Sequence, residues 1–126
     1  MSTLKLDTLS NKAGTASIPS DTIVSGTAKA WVNFDGTGTV AIRRAFNVSS
    51  ITDNATGDYT VNFTNAMPDE NFAVVFGGQE VGSTNHPCIM SINQAVVPTM
   101  ENVRIRTDNH TSASVDSPIV TVAVFS

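Results

Sequence analysis

His86, Cys88 and His110 are the side chains of this chain that could hold a soft divalent metal. Structural zinc takes four such ligands, usually in closely spaced pairs. Only three are present, and a segment that reads as strand separates His110 from the other two. They are expected to be turn and strand residues, with no metal bound. Ser114 or Ser117 with His110 and Asp116 supplies the residue types of a nucleophile, a base and an orienting acid. No sharp nucleophile turn surrounds either serine, and serines around Pro118 read more simply as a turn before a last strand. Carboxylates approach one another in sequence at Asp53 and Asp58 and at Asp69 and Glu70, while Asp35 stands alone. Glycoside hydrolysis needs two carboxyl groups facing one another across roughly 5–10 Å. Turn carboxylates more commonly cap their own backbone amides. Asp35-Gly36-Thr37-Gly38 is followed by strand rather than helix, so it is no phosphate cradle. Neither it nor the 53–58 segment has the alternating oxygen ligands of a calcium loop. The residues therefore predict no catalytic, cofactor-binding or metal site, and the chain is expected not to be an enzyme.

Two single residues carry separate expectations. Trp31, the one tryptophan, is expected in the core, with a subunit interface as the alternative. Arg44 falls, on strict alternation, on the same face as Val40, Ile42, Phe46 and Val48, where an unpaired guanidinium would be costly. A β-bulge at Arg43–Arg44 resolves the conflict, and a carboxylate partner at an interface is the alternative.

The elements behind these residues are strands. All three leucines, Leu4, Leu6 and Leu9, precede residue 10, and the later apolar load falls on fifteen valines, eight isoleucines and six phenylalanines. Branched and aromatic side chains suit a pleated surface and lose χ1 freedom in a helix. Period-two alternation marks strands at Trp31–Phe34, at Val40–Val48 and at Tyr59–Phe63. A hairpin turn is expected at 53–57 and a connection at 65–70, where Pro68 cannot donate to a ladder. Residues 72–76 are apolar on both faces and predict a central strand ending at Gly77–Gly78. Further strands are expected at Cys88–Ile92, at Val103–Arg106 as an edge or half-exposed strand, and at Ile119–Phe125 with Val120, Val122 and Val124 on one face. No helix of normal length has a supporting pattern. The expected fold is all-β, an antiparallel sandwich or open barrel over residues 28–126, with an extended N-terminal arm over 1–27. Three leucines in such an arm cannot bury themselves. They are expected to dock on a neighbouring subunit or another protein, or to add a strand to their own sheet.

Composition narrows the function classes. Charged residues make up 14% of the chain, against about 25% in typical domains. Ser, Thr and Asn supply 40 residues, so the polar surface is largely uncharged and suited to burial against other subunits or neutral ligands such as sugars. A net charge of −4 with scattered Lys and Arg argues against nucleic acid. No run of 18 apolar residues predicts a membrane span. Cys88 is the single cysteine, which excludes an internal disulfide and fits synthesis in a reducing cytoplasm. Sequons at Asn47, Asn54, Asn62 and Asn109 are expected to be incidental, because no basic-then-apolar secretory signal accompanies them.

Residues 28–75 also resemble a segment recurring in tail-fibre and other virion proteins of tailed bacteriophages. The similar features are AKAWVNF, GTGTVAIR, FNVSSITD, GDYTVNFT and the AMPD connection. The opening LKLDTLSNKAGTASIP resembles the short leader placed ahead of such modules, and beyond Gly77 only the closing VTVAV matches. The resemblance covers a little over half the chain. It implies a virion structural protein, assembled as a homotrimer and without enzymatic activity, at the tail or the capsid surface. Arg44 departs from the pattern, where a small or acidic residue is commoner, and no shaft repeat is present. A tail-fibre, receptor-binding subunit is the leading expectation, with a capsid decoration (cement) protein as the alternative. Other virion proteins and a host-surface glycan are the expected partners. Loops at 53–58, 82–87 and 108–117 are where contact with a glycan is expected, though no receptor-binding residue follows from the family.

Overall fold

A computed structural model describes residues 1–79 and 87–126. Eight strands form two four-stranded antiparallel sheets packed face to face. They are β3 (Ala30–Asp35), β4 (Ala41–Phe46), β5 (Val48–Ala55), β6 (Asp58–Phe63), β7 (Ala73–Gly78), β8 (Ile89–Ile92), β9 (Asn102–Asp108) and β10 (Val120–Phe125). One sheet runs β4-β3-β10-β7 and the other β5-β6-β9-β8. The expected all-β sandwich is the observed fold.

Alternation explains why the layers pack. The four inner strands each turn every second residue inward: Ala30, Val32 and Phe34; Tyr59, Val61 and Phe63; Val103 and Ile105; Val120, Val122 and Val124. All of these are buried. Phe34 and Tyr59 meet edge to face across the layers, with centroids 5.2 Å apart.

The sheets are joined at one corner by Asn47, whose φ of 54° lies in the left-handed region that Asn tolerates better than branched residues. Its Nδ2 donates to Lys29 O (3.0 Å) and Asn65 O (3.1 Å), and its Oδ1 accepts from Asn65 N (2.7 Å). The run expected as one strand from Val40 to Val48 is thereby split between two sheets. The hairpin after it turns later than expected, because β5 continues to Ala55 and the reversal is made at Thr56–Gly57.

The bulge at Arg43–Arg44 is present. Trp31 pairs with Phe46, Val32 with Ala45 and Asn33 with Arg44, but Phe34 then pairs with Ile42, leaving Arg43 as the extra residue. Its effect corrects the single-face reading of this strand. Val40 and Ala45 pack on the core, while Arg44 and Phe46 point outward. Arg43 donates to Asp35 Oδ2 (3.0 Å) and to Pro118 O (2.5 Å), holding the bulge to the loop before β10. Trp31, expected in the core, lies on the outer face, because its neighbours Val32 and Phe34 take the inward positions. β7 is an edge strand and not a central one, with Val75 56% exposed. β9 is half-exposed as expected, but it lies inside its sheet, between β6 and β8.

Residues 1–27 stand apart from these layers. β1 (Thr8–Ser10) and β2 (Ser17–Pro19) pair only with each other, so the arm adds no strand to either four-stranded sheet. A seven-residue helix, α1 (Ser20–Gly26), follows and buries no residue. Sequence patterning missed it because about two helical turns are too short for a 3.6-residue period to register. Thr27 Oγ1 donates to Ile23 O (2.6 Å), and Lys29 Nζ donates to Val24 O and to Thr27 O (2.8 Å), tying the helix end to the start of β3.

Candidate functional site

Ser117 and Asp116 are held in structural roles. Ser117 is fully buried, and its hydroxyl lies 2.8 Å from Gln79 O and 2.9 Å from Ile119 O. Asp116 Oδ1 accepts from Gly57 N (2.8 Å) and from the Tyr59 hydroxyl (2.7 Å), which is also 3.0 Å from Gly36 O. Burial, and then the bond to Asp116, push the Tyr59 hydroxyl well above its ordinary pKa, so it stays protonated as a donor. Ser117 and Asp116 thus serve different partners and make no nucleophile–base relay. Cys88 is half-buried, and desolvation raises its thiol, the opposite of what a reactive thiolate needs. His110 is exposed in the turn after β9, and Ser114 bridges to Asp108 beside it. His86 and residues 82–86 of the 82–87 loop lie outside the described residues. Among the described residues no three of His, Cys, Asp and Glu gather as a metal cluster.

The carboxylates are likewise occupied. Asp35 Oδ1 accepts from the Thr37 hydroxyl (2.6 Å) and amide (2.9 Å), which lower its pKa with help from Arg43. Asp69 Oδ1 caps Asn71 N at 2.7 Å. Register separates Asp53 from Asp58. Asp53 pairs with Tyr59, on the inward-facing side, and Asp58 is one position out of phase with it, on the outward side. They cannot face one another across a scissile bond.

What the fold presents instead is two outer faces of opposite chemistry. On the β5-β6-β9-β8 sheet, Ser50, Thr52, Asp58, Thr60, Asn62 and Arg104 point outward. Arg104 binds Asp58 in a fork, Nε to Oδ1 at 2.7 Å and a terminal nitrogen to Oδ2 at 2.8 Å. Asn93 Nδ2 adds a bond to Asp58 Oδ2 at 3.2 Å. The Arg104 bond is the main reason the Asp58 carboxyl titrates below its ordinary value. Asn62 Nδ2 reaches Ser50 Oγ (3.1 Å) and Thr52 Oγ1 (2.9 Å), and Asn54 Nδ2 reaches Thr60 Oγ1 (2.9 Å). This face is a hydrogen-bonded lattice of amides and hydroxyls.

The outer face of the β4-β3-β10-β7 sheet is apolar. Register places Phe46, Trp31, Ala123 and Val75 side by side, one from each strand. Phe46 is 55% exposed and Val75 56%. The next row is Arg44, Asn33, Thr121 and Gly77, so only its edge position is charged. Between Trp31 and Val75 the small Ala123 leaves a groove of about 360 Å³. Asn33 Oδ1, lining the same groove, is buried without a hydrogen-bond partner. Sequence reasoning missed this face for two reasons. The bulge turned Phe46 over, and a run apolar on both faces was taken as central when it forms an edge strand.

No protein-family model, curated protein or solved structure matches the chain. No helix among the described residues is long and apolar enough to cross a membrane.

Proposed function

We propose that the chain is a bacteriophage virion structural protein, a tail-fibre subunit that contributes to host attachment and works as a homotrimer. The observation that carries the reading is the arm. Residues 1–19 are exposed throughout, and Leu4, Leu6, Leu9, Ile18, Ile23 and Val24 leave apolar surface in water. Side chains of this kind are normally buried, and scattered single exposures need no explanation, but a whole segment without a core is suited to packing on another chain. The sequence resemblance of residues 28–75 to virion modules supports the same reading. The side chains that could have supported catalysis are tied into caps and clamps, which favours a binding role over an enzymatic one.

A host-surface glycan is the proposed ligand of the body. The amides and hydroxyls of Asn54, Thr60, Asn62 and Thr52 offer paired donors and acceptors to sugar hydroxyls beside an already paired Arg104–Asp58 ion pair. Cryo-electron microscopy of the intact particle tests the role. A few trimers at the tail are the expected result. Hundreds of copies over the shell would replace the fibre reading with capsid decoration, and absence from the particle would end both.

A further inference from the structure

The geometry points to the outer face of the β4-β3-β10-β7 sheet as the seat for the N-terminal arm of a second copy of this chain. The inference rests on the assembly role proposed above and identifies the two surfaces that meet. One chain carries two apolar surfaces that it does not itself cover. The first is the row Phe46, Trp31, Ala123, Val75, and the second is the leucine-bearing arm. In the folded chain they do not satisfy each other, since residues 1–19 remain exposed while the Lys29 and Thr27 bonds fix the base of the arm beside β3.

The two surfaces match in length. Four strands at about 4.8 Å spacing make the row about 14 Å wide, and an extended segment from Leu4 to Leu9 spans about 17 Å. An extended Leu4 and Leu6 project to the same side, so both can face the sheet while Lys5 faces solvent. The groove floored by Ala123 has room for a leucine side chain between Trp31 and Val75. Charge on the face is confined to one end, at Arg44 and the Asp35–Arg43 pair, so the row itself suits a permanent contact between copies better than a partner recognised by charge.

The test uses the purified full chain, with light scattering for mass and Trp31 fluorescence as the built-in reporter of the face. The wild type is expected to assemble, with Trp31 emission moving to longer wavelength as dilution releases the arm. Val75→Lys and Leu6→Asp should each return the chain to monomer mass with solvent-exposed emission, while Glu70→Lys in the loop before β7 assembles normally. Both positions are substantially exposed in the single chain, so circular dichroism should show the fold intact. In a Cys88→Ser background, a mixture of L6C and V75C copies should be joined by a short bis-maleimide, and neither copy alone should give that product. A wild type that is monomeric at every concentration overturns the inference. So does assembly that V75K abolishes and L6D leaves untouched, which would mean that another surface covers the face. Cross-linking of a double L6C/V75C variant into a monomeric species would mean that the arm serves its own sheet, and this also overturns it. These readouts need no particle, so their failure is distinct from failure to find the chain in virions.

Discussion

Replacing Gly57 by Ala should unfold this protein more readily than the same substitution at the other positive-φ glycines among the described residues, Gly14 and Gly38. Gly57 forms the β5–β6 turn with φ of 64°, a conformation that costs an L residue about 1–2 kcal/mol. The added Cβ would also have no free space. It would press on Thr107 O and sit 2.8 Å from Val115 N and 2.9 Å from Val115 O. All three atoms are backbone, and they are locked by Thr107 N to Gly57 O (2.8 Å) and Val115 N to Thr107 O (3.0 Å). No side chain can swing aside, so overpacking adds about 1–3 kcal/mol. The total of about 2–5 kcal/mol is a large part of the roughly 5–15 kcal/mol that holds a typical domain together. With an unfolding entropy of about 0.26 kcal/mol/K for a chain of this length, the midpoint should fall by roughly 8–19 °C. Gly38 is the internal control, because its φ of 59° is similar but nothing lies within 4 Å of an added Cβ. Gly38→Ala should show the conformational cost alone. Calorimetry of both variants decides the matter, and equal midpoint losses would refute the argument from packing.

The clamp above that turn should be separable from it. Tyr59→Phe keeps the ring in contact with Phe34 but deletes the donor to Asp116, and the loss of a buried bond to a charged group should cost about 1.5–3 kcal/mol in urea unfolding. Acid should weaken the polar sheet through Asp58. Its folded pKa lies below the unfolded value of 3.8, so its contribution is complete above that pH and is lost as pH falls through the folded value. Asp58→Asn should flatten the acid limb of the stability–pH curve, and an unchanged limb would remove Asp58 from the account. Arg43→Ala should cost no more than about 1 kcal/mol, since its pair with Asp35 is substantially exposed, and a bulge that survives in the amide chemical shifts would show that the register is set by packing.

Much of this fold is legible in the sequence because its inner strands obey a single rule. Ala30, Val32 and Phe34, or Val120, Val122 and Val124, take every second position and are all buried. Even the bulge can be anticipated, since Arg44 in an apolar register forces either a shift or a buried charge. What alternation cannot give is the order of strands in space. The 72–76 run looks central by composition, yet it lies at an edge because β10, last in the chain, inserts between it and β3. Long-range pairing of that kind leaves no local signal. The clamp is hidden for the same reason, as Asp116 meets residues more than fifty positions earlier.

These errors of position concern the same surface, and that bears on what the protein is built to do. An edge strand that is apolar on both faces exposes one of them to water, and the proposed assembly requires that face to be covered. Val75 and Phe46, on the two edge strands, both present that requirement, and Trp31 and Ala123 join them into one continuous row. The opposite sheet meets water mainly through a lattice of amides, hydroxyls and two ion pairs, Arg104–Asp58 and Arg106–Asp108. Had the chain been made to stand alone, the cheaper arrangement would give both faces that pattern. The difference between them, together with an arm that buries nothing within its own chain, is what the proposed assembly would use, with the apolar side toward a second copy and the polar side toward water.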